Sequence, residues 1–206
     1  MSFVVGFDLD MTLVDSRAGI VACMQRTLGD RGVAATDEQL WPLIGAPLAD
    51  NLAQFLPADQ VPGAVEQYRA LYPELAVPMT TALPGAHDAF AAIREHGGQP
   101  MVVSAKYEPA VHAVLHQVGL QPDIVVGDAF GAGKAVPIKQ HHATIFVGDH
   151  EGDMAGAVAG GAYALGVLTG PHDEAQLRAA GAQSVVPDLR SFGPWLNDYL
   201  SDPPAR

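Results

Sequence analysis

The sequence predicts an α/β fold, a three-layer Rossmann-like parallel sheet with an inserted α-helical subdomain, and three observations carry this prediction. Short valine-rich apolar runs recur along the chain, as is typical of strands that are buried on both faces. Helical patterns separate these runs, and strands that alternate with helices favour a parallel sheet with right-handed crossovers. Between the first two runs lie about 65 residues without a convincing strand, which is too long for a crossover.

The predicted strands and helices alternate in chain order. Six apolar runs are predicted as strands: residues 3–7, 100–104, 123–127, 144–148, 162–168 and, with a weaker pattern, 183–187. One helix precedes the break at Gly97 and Gly98, and a second follows the i, i+3, i+4, i+7 rule and stops at Gly119. The uncharged run over residues 154–171 reaches spanning length, but its glycines favour a helix, a turn and a buried strand.

The inserted segment is predicted to cover residues 16–81, which assigns residues 1–15 and 82–206 to the core. Its clearest helix covers residues 61–75, where apolar and aromatic side chains recur at helical spacing: Val65, Tyr68, Leu71, Tyr72 and Leu75. Pro78, Pro84 and Gly85 mark the return to the core. The tail, residues 201–206, is predicted to fray.

Composition and charge exclude several classes of function. The 206 residues are 49% hydrophobic, enough for a substantial core, and 11 basic against 23 acidic side chains give a net charge of −12. Such a surface repels nucleic acids and anionic membranes, so a small molecule is the expected partner. We expect a monomer or homodimer. The lone Cys23 cannot form an intrachain disulfide, and the N-terminus lacks a signal-peptide pattern, so we expect a cytoplasmic location.

Polar side chains follow three of the predicted strands. Asp8, Asp10 and Thr12 follow the first strand, Ser104 the second, and Asp149 with Asp153 the fourth. Because ligands bind at the carboxyl ends of strands in open α/β sheets, these side chains are expected to converge. Converging carboxylates oppose joint ionisation, and Mg²⁺ and a lysine could compensate them.

Chemistry assigns roles to these residues. A carboxylate at a strand end, such as Asp8, can attack a phosphate ester and split the reaction into two steps through an acyl phosphate. Asp10, two residues later, can protonate the leaving oxygen and later accept a proton from water. The hydroxyl of Ser104 and the amide of Ala105 can donate to a phosphoryl oxygen, and Thr12 is a candidate substrate contact.

Four segments resemble the ordered motifs of the haloacid dehalogenase-like hydrolases: FDLDMTLVDS from residue 7, VVSAK from 102, GAGKA from 131 and FVGDHEGDM from 146. The inserted segment resembles the small helical cap of the phosphoglycolate phosphatase-like branch, through IGAPL, YRALY and LPG. The resemblance implies a Mg²⁺-dependent phosphatase. It gives Asp8 and Asp10 the same roles, places Asp8, the Asp10 carbonyl and Asp149 on the metal, and assigns Lys134 to the phosphate and the nucleophile.

Several assignments stay open. We interpret Asp153 as a residue that orients metal-bound water or holds a ligand. The alternative is an acid in the first turn of a helix, where the helix dipole favours a negative charge. Lys139 is the rival of Lys134, and Lys106 either contacts the substrate or is a surface lysine. Arg17 and Arg69 are candidates to contact a second charged group of the substrate, with surface positions as the favoured alternative. Loop, capping or other structural roles are favoured for the remaining candidates: Glu151, His141, His142 and His150.

We therefore predict a phosphatase that hydrolyses a small phosphomonoester, phosphoglycolate-like or a sugar phosphate, through an aspartyl-phosphate at Asp8. One alternative is a phosphomutase of the β-phosphoglucomutase type, which the same motifs would serve. A second is a non-hydrolytic phosphoacceptor or binding regulator that resembles a receiver domain, although Asp10 and the helical insertion disfavour it. A dehalogenase is disfavoured because that branch lacks the second aspartate of the first motif.

Overall fold

A computed structural model describes residues 3–202. Eight strands occur in this range: β1 (Val4–Phe7), β2 (Val14–Asp15), β3 (Thr81–Ala82), β4 (Gln99–Val103), β5 (Ile124–Val126), β6 (Ala143–Gly148), β7 (Tyr163–Val167) and β8 (Ser184–Val186). The α-helices are α1 (Arg17–Gly29), α2 (Asp37–Leu40), α3 (Leu48–Ala53), α4 (Val61–Leu75), α5 (Ala86–Glu95), α6 (Glu108–Val118), α7 (Ala135–Gln140), α8 (Glu151–Gly160), α9 (Glu174–Ala179) and α10 (Phe192–Ser201). All six predicted strands are confirmed.

The main sheet is parallel and has the strand order β5-β4-β1-β6-β7-β8. The central strand β1 has Phe7 in register with Val102 of β4 and with Val147 of β6. The carboxyl ends of β4, β1 and β6 therefore lie side by side, and the residues that follow them meet at one edge.

Apolar side chains fill both faces of the sheet, which confirms the predicted three-layer α/β architecture. On one face the Phe7 ring lies 5.6 Å from Phe90 of α5 and 5.4 Å from Phe192 of α10. On the other face Phe146 belongs to a separate buried cluster with α7 and α8 side chains. Gly6 leaves room for that ring, because a Cβ there would lie 2.5 Å from Phe146.

The long connection between β1 and β4 is helical, as predicted, and begins and ends at a short ribbon. β2 and β3 pair antiparallel, Val14 with Ala82 and Asp15 with Thr81, close to the predicted boundaries of the insertion. Helices α1 to α4 lie between these strands, and α4 has the predicted bounds. The ribbon was not predicted, because a two-residue strand is too short to show a periodicity.

Two further segments test the sequence analysis. The uncharged run over residues 154–171 forms most of α8, a turn at Gly161 and β7, as predicted, and no helix within residues 3–202 has the length and hydrophobicity of a membrane span. The predicted frayed tail is wrong at Ser201, which still belongs to α10. Residues 203–206 of that tail lie outside the described range.

Candidate active site

Three neighbouring strands place the residues at the base of the site. Asp8 follows β1, Ser104 follows β4 and Asp149 follows β6, and all three side chains are buried. The backbone N–H of Asp8 donates to the Val147 carbonyl at 2.9 Å, so the backbone of Asp8 is fixed to the neighbouring strand β6. The predicted convergence of these residues is confirmed.

A buried acidic cluster lies at this edge, formed by Asp8, Asp149 and Asp153, whose carboxylate oxygens are within 4.8 Å of one another. The Nζ of Lys134 lies 2.6 Å from Oδ1 of Asp8 and 2.6 Å from Oδ1 of Asp153. Three carboxylates and one ammonium leave a formal charge of −2, from three minus one. An all-oxygen donor set with this charge fits a hard divalent cation such as Mg²⁺.

Burial controls the ionisation of this cluster. Desolvation raises the pKa of Asp8 to about 7, although the adjacent Lys134 acts in the opposite direction. Burial likewise raises the pKa of Asp149 well above its ordinary range, with Asp153 and Asp8 adding like-charge repulsion. Burial disfavours the charged form of Lys134, but the carboxylates of Asp153 and Asp8 outweigh it and hold the lysine pKa above its ordinary value.

These shifts predict a pH-dependent response to Mg²⁺. The folded-state pKa of Asp8 is about 7 against 3.8 for the ordinary group, so the metal-free protein loses stability as pH rises through that window. A bound cation would offset this loss, so Mg²⁺ should raise Tm more at about pH 8 than at about pH 5. At about pH 8 and about 100 times the dissociation constant of Mg²⁺, the expected rise in Tm is about 5–10 °C. Thermal melts with and without Mg²⁺ measure this, and D149N should lose the shift. An equal rise at both pH values would contradict the assignment.

The structure separates the two rival lysines. Lys134 ends a 3₁₀ turn over Gly131–Lys134 and is 1% exposed within the acidic cluster. Lys139 lies on α7 and is exposed. The lysine of the third motif is therefore the one that contacts Asp8, and it also pairs with Asp153, a partner that the sequence analysis did not assign.

Thr12 requires a correction. Its hydroxyl donates to Oδ1 of Asp149 at 2.6 Å and its side chain has no exposed surface. We therefore replace the predicted substrate contact by a positioning role, because the only donor of this side chain is already used on Asp149. The signal was available only from the fold, since 137 positions separate the two residues.

Removing that hydroxyl should weaken metal activation. In Thr12→Val the Asp149 carboxylate loses the donor that orients it, so the Mg²⁺ concentration needed for half-maximal activity should rise about tenfold or more. A Mg²⁺ titration of activity measures this. The control is Thr144→Val, whose hydroxyl donates to the Val4 carbonyl at 3.2 Å near the opposite edge of the sheet. An unchanged activation constant in Thr12→Val would exclude the positioning role.

Gly170, in the turn after β7, was missed by the sequence analysis. A Cβ at this position would lie 1.8 Å from Oδ2 of Asp149, so the backbone approaches the carboxylate more closely than any side chain permits. Gly170→Ala should therefore displace Asp149 and lower Mg²⁺-dependent activity by at least about tenfold. Gly29→Ala is the control, because a Cβ there meets nothing within 4 Å. Full activity of Gly170→Ala would show that the turn can shift without consequence.

The carboxylate of Asp10 is not part of the acidic cluster. Its Oδ1 accepts from the Ser16 hydroxyl at 2.6 Å and its Oδ2 lies 3.0 Å from the Nζ of Lys106. Met11, with a φ of 61°, turns the chain between Asp10 and Thr12. The predicted metal contact of Asp10 concerns its carbonyl oxygen and stays a prediction, whereas its carboxylate does not join the three acids of the cluster.

Lys106 is the residue whose importance the sequence analysis left open. Besides Asp10, its Nζ lies 2.8 Å from the Tyr72 hydroxyl and 4.3 Å from the centre of that ring. Tyr72 belongs to α4, so Lys106 links the second motif to the inserted helices. The contact depends on how α4 packs over the core, which no local pattern reveals.

The other candidates are distributed as follows. Ser104 and Ala105 line the cavity beside Asp8, and Arg69 lies at its edge. Arg17 stacks on Trp41 and pairs with Asp37 at the surface, as favoured. His150 caps α8 through Nδ1, which accepts from the Gly152 N–H at 2.9 Å, and burial lowers the pKa of its ring. His141 and His142 follow α7, next to the amino end of β6 and away from the site.

A cavity of about 220 Å³ opens between this edge of the sheet and the inserted helices. Asp8, Asp10 and Ser104 form part of its floor. Side chains of α1, α3 and α4 and of the turn at residues 44–47 form its walls. The strand-end carboxylates therefore face a space that can hold a small molecule.

Comparison with known proteins places this site in a family. The model of the haloacid dehalogenase-like hydrolases matches residues 5–167, from β1 to the end of β7. The chain belongs to this family. The matched range contains the four strand-end motifs and the whole helical insertion, and the phosphoglycolate phosphatase-like branch that the sequence resembled is supported by its relatives.

Several relatives of this hydrolase are phosphatases by name, and others, at 27% identity, are named tyrosine-protein kinase PtkA of Mycobacterium. It is 32% identical over 206 residues to the probable phosphatase IndB of Dickeya dadantii, covering 90% of each chain. It is 28% identical over 215 residues to a phosphoglycolate phosphatase of Rhodospirillum rubrum, covering 92% of this chain and 89% of that protein. The crystal structure of a predicted phosphatase from Clostridium acetobutylicum superimposes with a TM-score of 0.85 at 20% identity, covering 95% and 98% of the two chains, which shows the shared fold. This chain is a phosphatase of the family.

Proposed function

We propose that this phosphatase hydrolyses a small phosphomonoester with Mg²⁺ and an aspartyl-phosphate at Asp8. The observation that carries the proposal is the acidic cluster with its buried lysine. Asp8 belongs to this cluster and also lines the cavity. A nucleophile must combine a fixed direction with access to the substrate. Asp8 meets both requirements, because its backbone is bonded to β6 and its side chain lines the cavity.

The first step forms a bond between an Asp8 oxygen and phosphorus and breaks the bond from phosphorus to the ester oxygen. This step requires a protonated Asp10, which gives its proton to the departing ester oxygen, and the product leaves as the alcohol. Ser16 and Lys106 hold the Asp10 carboxyl group in place for this transfer. In the second step Asp10 takes a proton from water, and the resulting attack on phosphorus releases phosphate and restores the Asp8 carboxylate.

Side chains and an amide of the protein can stabilise the negative charge of the transferred phosphoryl group. Lys134 contacts Asp8 directly, and Ser104 and Ala105, which line the cavity, would donate the hydroxyl and the amide to phosphoryl oxygens. Asp8, Asp149 and the Asp10 carbonyl would hold Mg²⁺, while Thr12 orients Asp149. Bound Mg²⁺ supplies positive charge for the phosphoryl oxygens and favours the ionised form of Asp8.

A panel of phosphate esters tests the function. Purified protein with Mg²⁺ should release inorganic phosphate from several small monoesters and from a chromogenic aryl phosphate, and chelation with EDTA should abolish this release. Conversion of a hexose 1-phosphate into its 6-phosphate without free phosphate would replace the proposal by a phosphomutase. A stable phosphoprotein without turnover would replace it by a phosphoacceptor.

A further inference from the structure

The cavity that borders Asp8 has mainly apolar walls. Apolar side chains from α1, α3, α4 and the segment between α2 and α3 line it, among them Ile20, Met24, Leu43, Ile44, Leu48 and Val65. Its volume is about 220 Å³, and a dry aliphatic cavity of about 150 Å³ can hold benzene. An alcohol portion that buries apolar surface against these walls gains binding free energy, whereas a charged one loses its hydration.

The two cations that line the cavity are already engaged. Lys106 lies 3.0 Å from Asp10 and stacks on Tyr72, as described above. The guanidinium of Arg69 lies 3.5 Å from Asp128 and 4.2 Å from the centre of the Tyr107 ring. In the protein without substrate, each positive charge therefore lies beside a carboxylate.

The remaining side-chain donors offer little to an anion. Both hydrogen bonds from the Asn51 amide go to backbone carbonyls, at 2.8 Å to Leu43 and 3.4 Å to Ala46. The hydroxyls of Tyr68 and Tyr107 make no hydrogen bond within the described part of the chain, so they remain as neutral donors. Three carboxylates against two cations give the lining a formal charge of −1, from two minus three: Asp8, Asp10 and Asp128 against Lys106 and Arg69.

We propose that this cavity selects phosphate monoesters of uncharged, largely apolar alcohols of about the size of one ring, and disfavours esters whose alcohol carries a second anionic group. The proposal rests on the phosphatase function above. It excludes phosphoglycolate as the preferred substrate, because its carboxylate would enter an apolar space without an unpaired cation. The Tyr68 hydroxyl leaves room for one neutral polar group on the alcohol.

Three esters, two of them of similar size, test this selection on the Mg²⁺-loaded enzyme. Propyl phosphate and phosphoglycolate differ mainly in replacing an ethyl end by a carboxylate, and benzyl phosphate adds a ring. We expect kcat/KM to be highest for benzyl phosphate and at least about tenfold lower for phosphoglycolate than for propyl phosphate. A value for phosphoglycolate equal to or above that of propyl phosphate would overturn the selection while leaving the phosphatase function intact. Absence of turnover for all three and for an aryl phosphate would overturn both.

A charge-releasing variant tests the cause. Asp128→Asn removes the charged partner of Arg69. Asparagine also tolerates the φ of 54° at this position. The ratio of kcat/KM for phosphoglycolate to kcat/KM for propyl phosphate should therefore rise about fivefold or more. The matched control is Asp123→Asn, which unpairs Arg94 at 3.3 Å outside the cavity and should leave the ratio unchanged. Thermal melts of both variants report folding. An unchanged ratio in Asp128→Asn would overturn the assignment of the paired arginine as the cause.

Discussion

Replacing Asp8 by asparagine is expected to lower kcat by at least about 10³-fold while the protein stays folded. The amide keeps the shape of the side chain but cannot form the acyl phosphate on which the two-step reaction depends. Stability should be preserved, because burial already raises the pKa of Asp8 to about 7 and so penalises its charged form. Steady-state phosphate release and thermal melts of the same preparation measure the two quantities.

The matched control for this variant is Asp59→Asn, an exposed acid in the loop before α4. It removes the same charge from the same strongly acidic chain without touching the site, so its kcat should equal that of the wild type. Turnover by Asp8→Asn within tenfold of wild type would remove Asp8 from the mechanism. An unfolded variant would instead contradict the stability argument for a neutral group at this position.

Replacing Lys134 by methionine should have the largest combined effect on stability and activity. The ammonium is 1% exposed and lies 2.6 Å from both Asp8 and Asp153, so its removal leaves buried carboxylates without a partner. Breaking a buried ion pair in this way costs about 3–5 kcal/mol, and the loss of a positive charge beside the transferred group should lower kcat by at least about 100-fold. Chemical denaturation in EDTA and activity with saturating Mg²⁺ measure the two effects.

Lys139→Met serves as the control because Lys139 is the rival lysine of the same segment and is exposed on α7. It should change the free energy of unfolding by less than about 0.5 kcal/mol and leave kcat unchanged. If Lys139→Met were the inactive variant, the assignment of the third motif would be reversed. If neither lysine affected activity, the phosphate would have to be neutralised by other groups.

The parts of the site that the sequence predicts are those fixed by strand ends. Asp8, Ser104 and Asp149 follow valine-rich runs, and a parallel sheet brings the carboxyl ends of neighbouring strands together whatever lies between them. The lysine was harder to assign, because three lysines occur in the second half of the chain and only the fold shows that Lys134 is the one that contacts Asp8 and Asp153.

The rest depends on contacts between distant segments. Thr12 reaches Asp149 because β1 and β6 are neighbours, and Lys106 reaches Tyr72 because α4 packs over the core. The close approach of Gly170 to Asp149 depends on the path of a turn, and glycine is common in turns for other reasons. Such pairs carry no local periodicity, so the sequence indicates the residues without indicating their partners.

The most direct test of the account is to find the transferred phosphoryl group. Asp10→Asn should slow the attack of water more than it slows formation of the intermediate from an aryl phosphate, whose leaving group needs little protonation, so this variant should accumulate phosphoenzyme. Rapid quenching during turnover, proteolysis and mass spectrometry should then find one phosphoryl group on the peptide that contains Asp8, removable by hydroxylamine. A phosphoryl group on any other residue, or an unmodified enzyme in both wild type and Asp10→Asn during active turnover, would contradict the central claim.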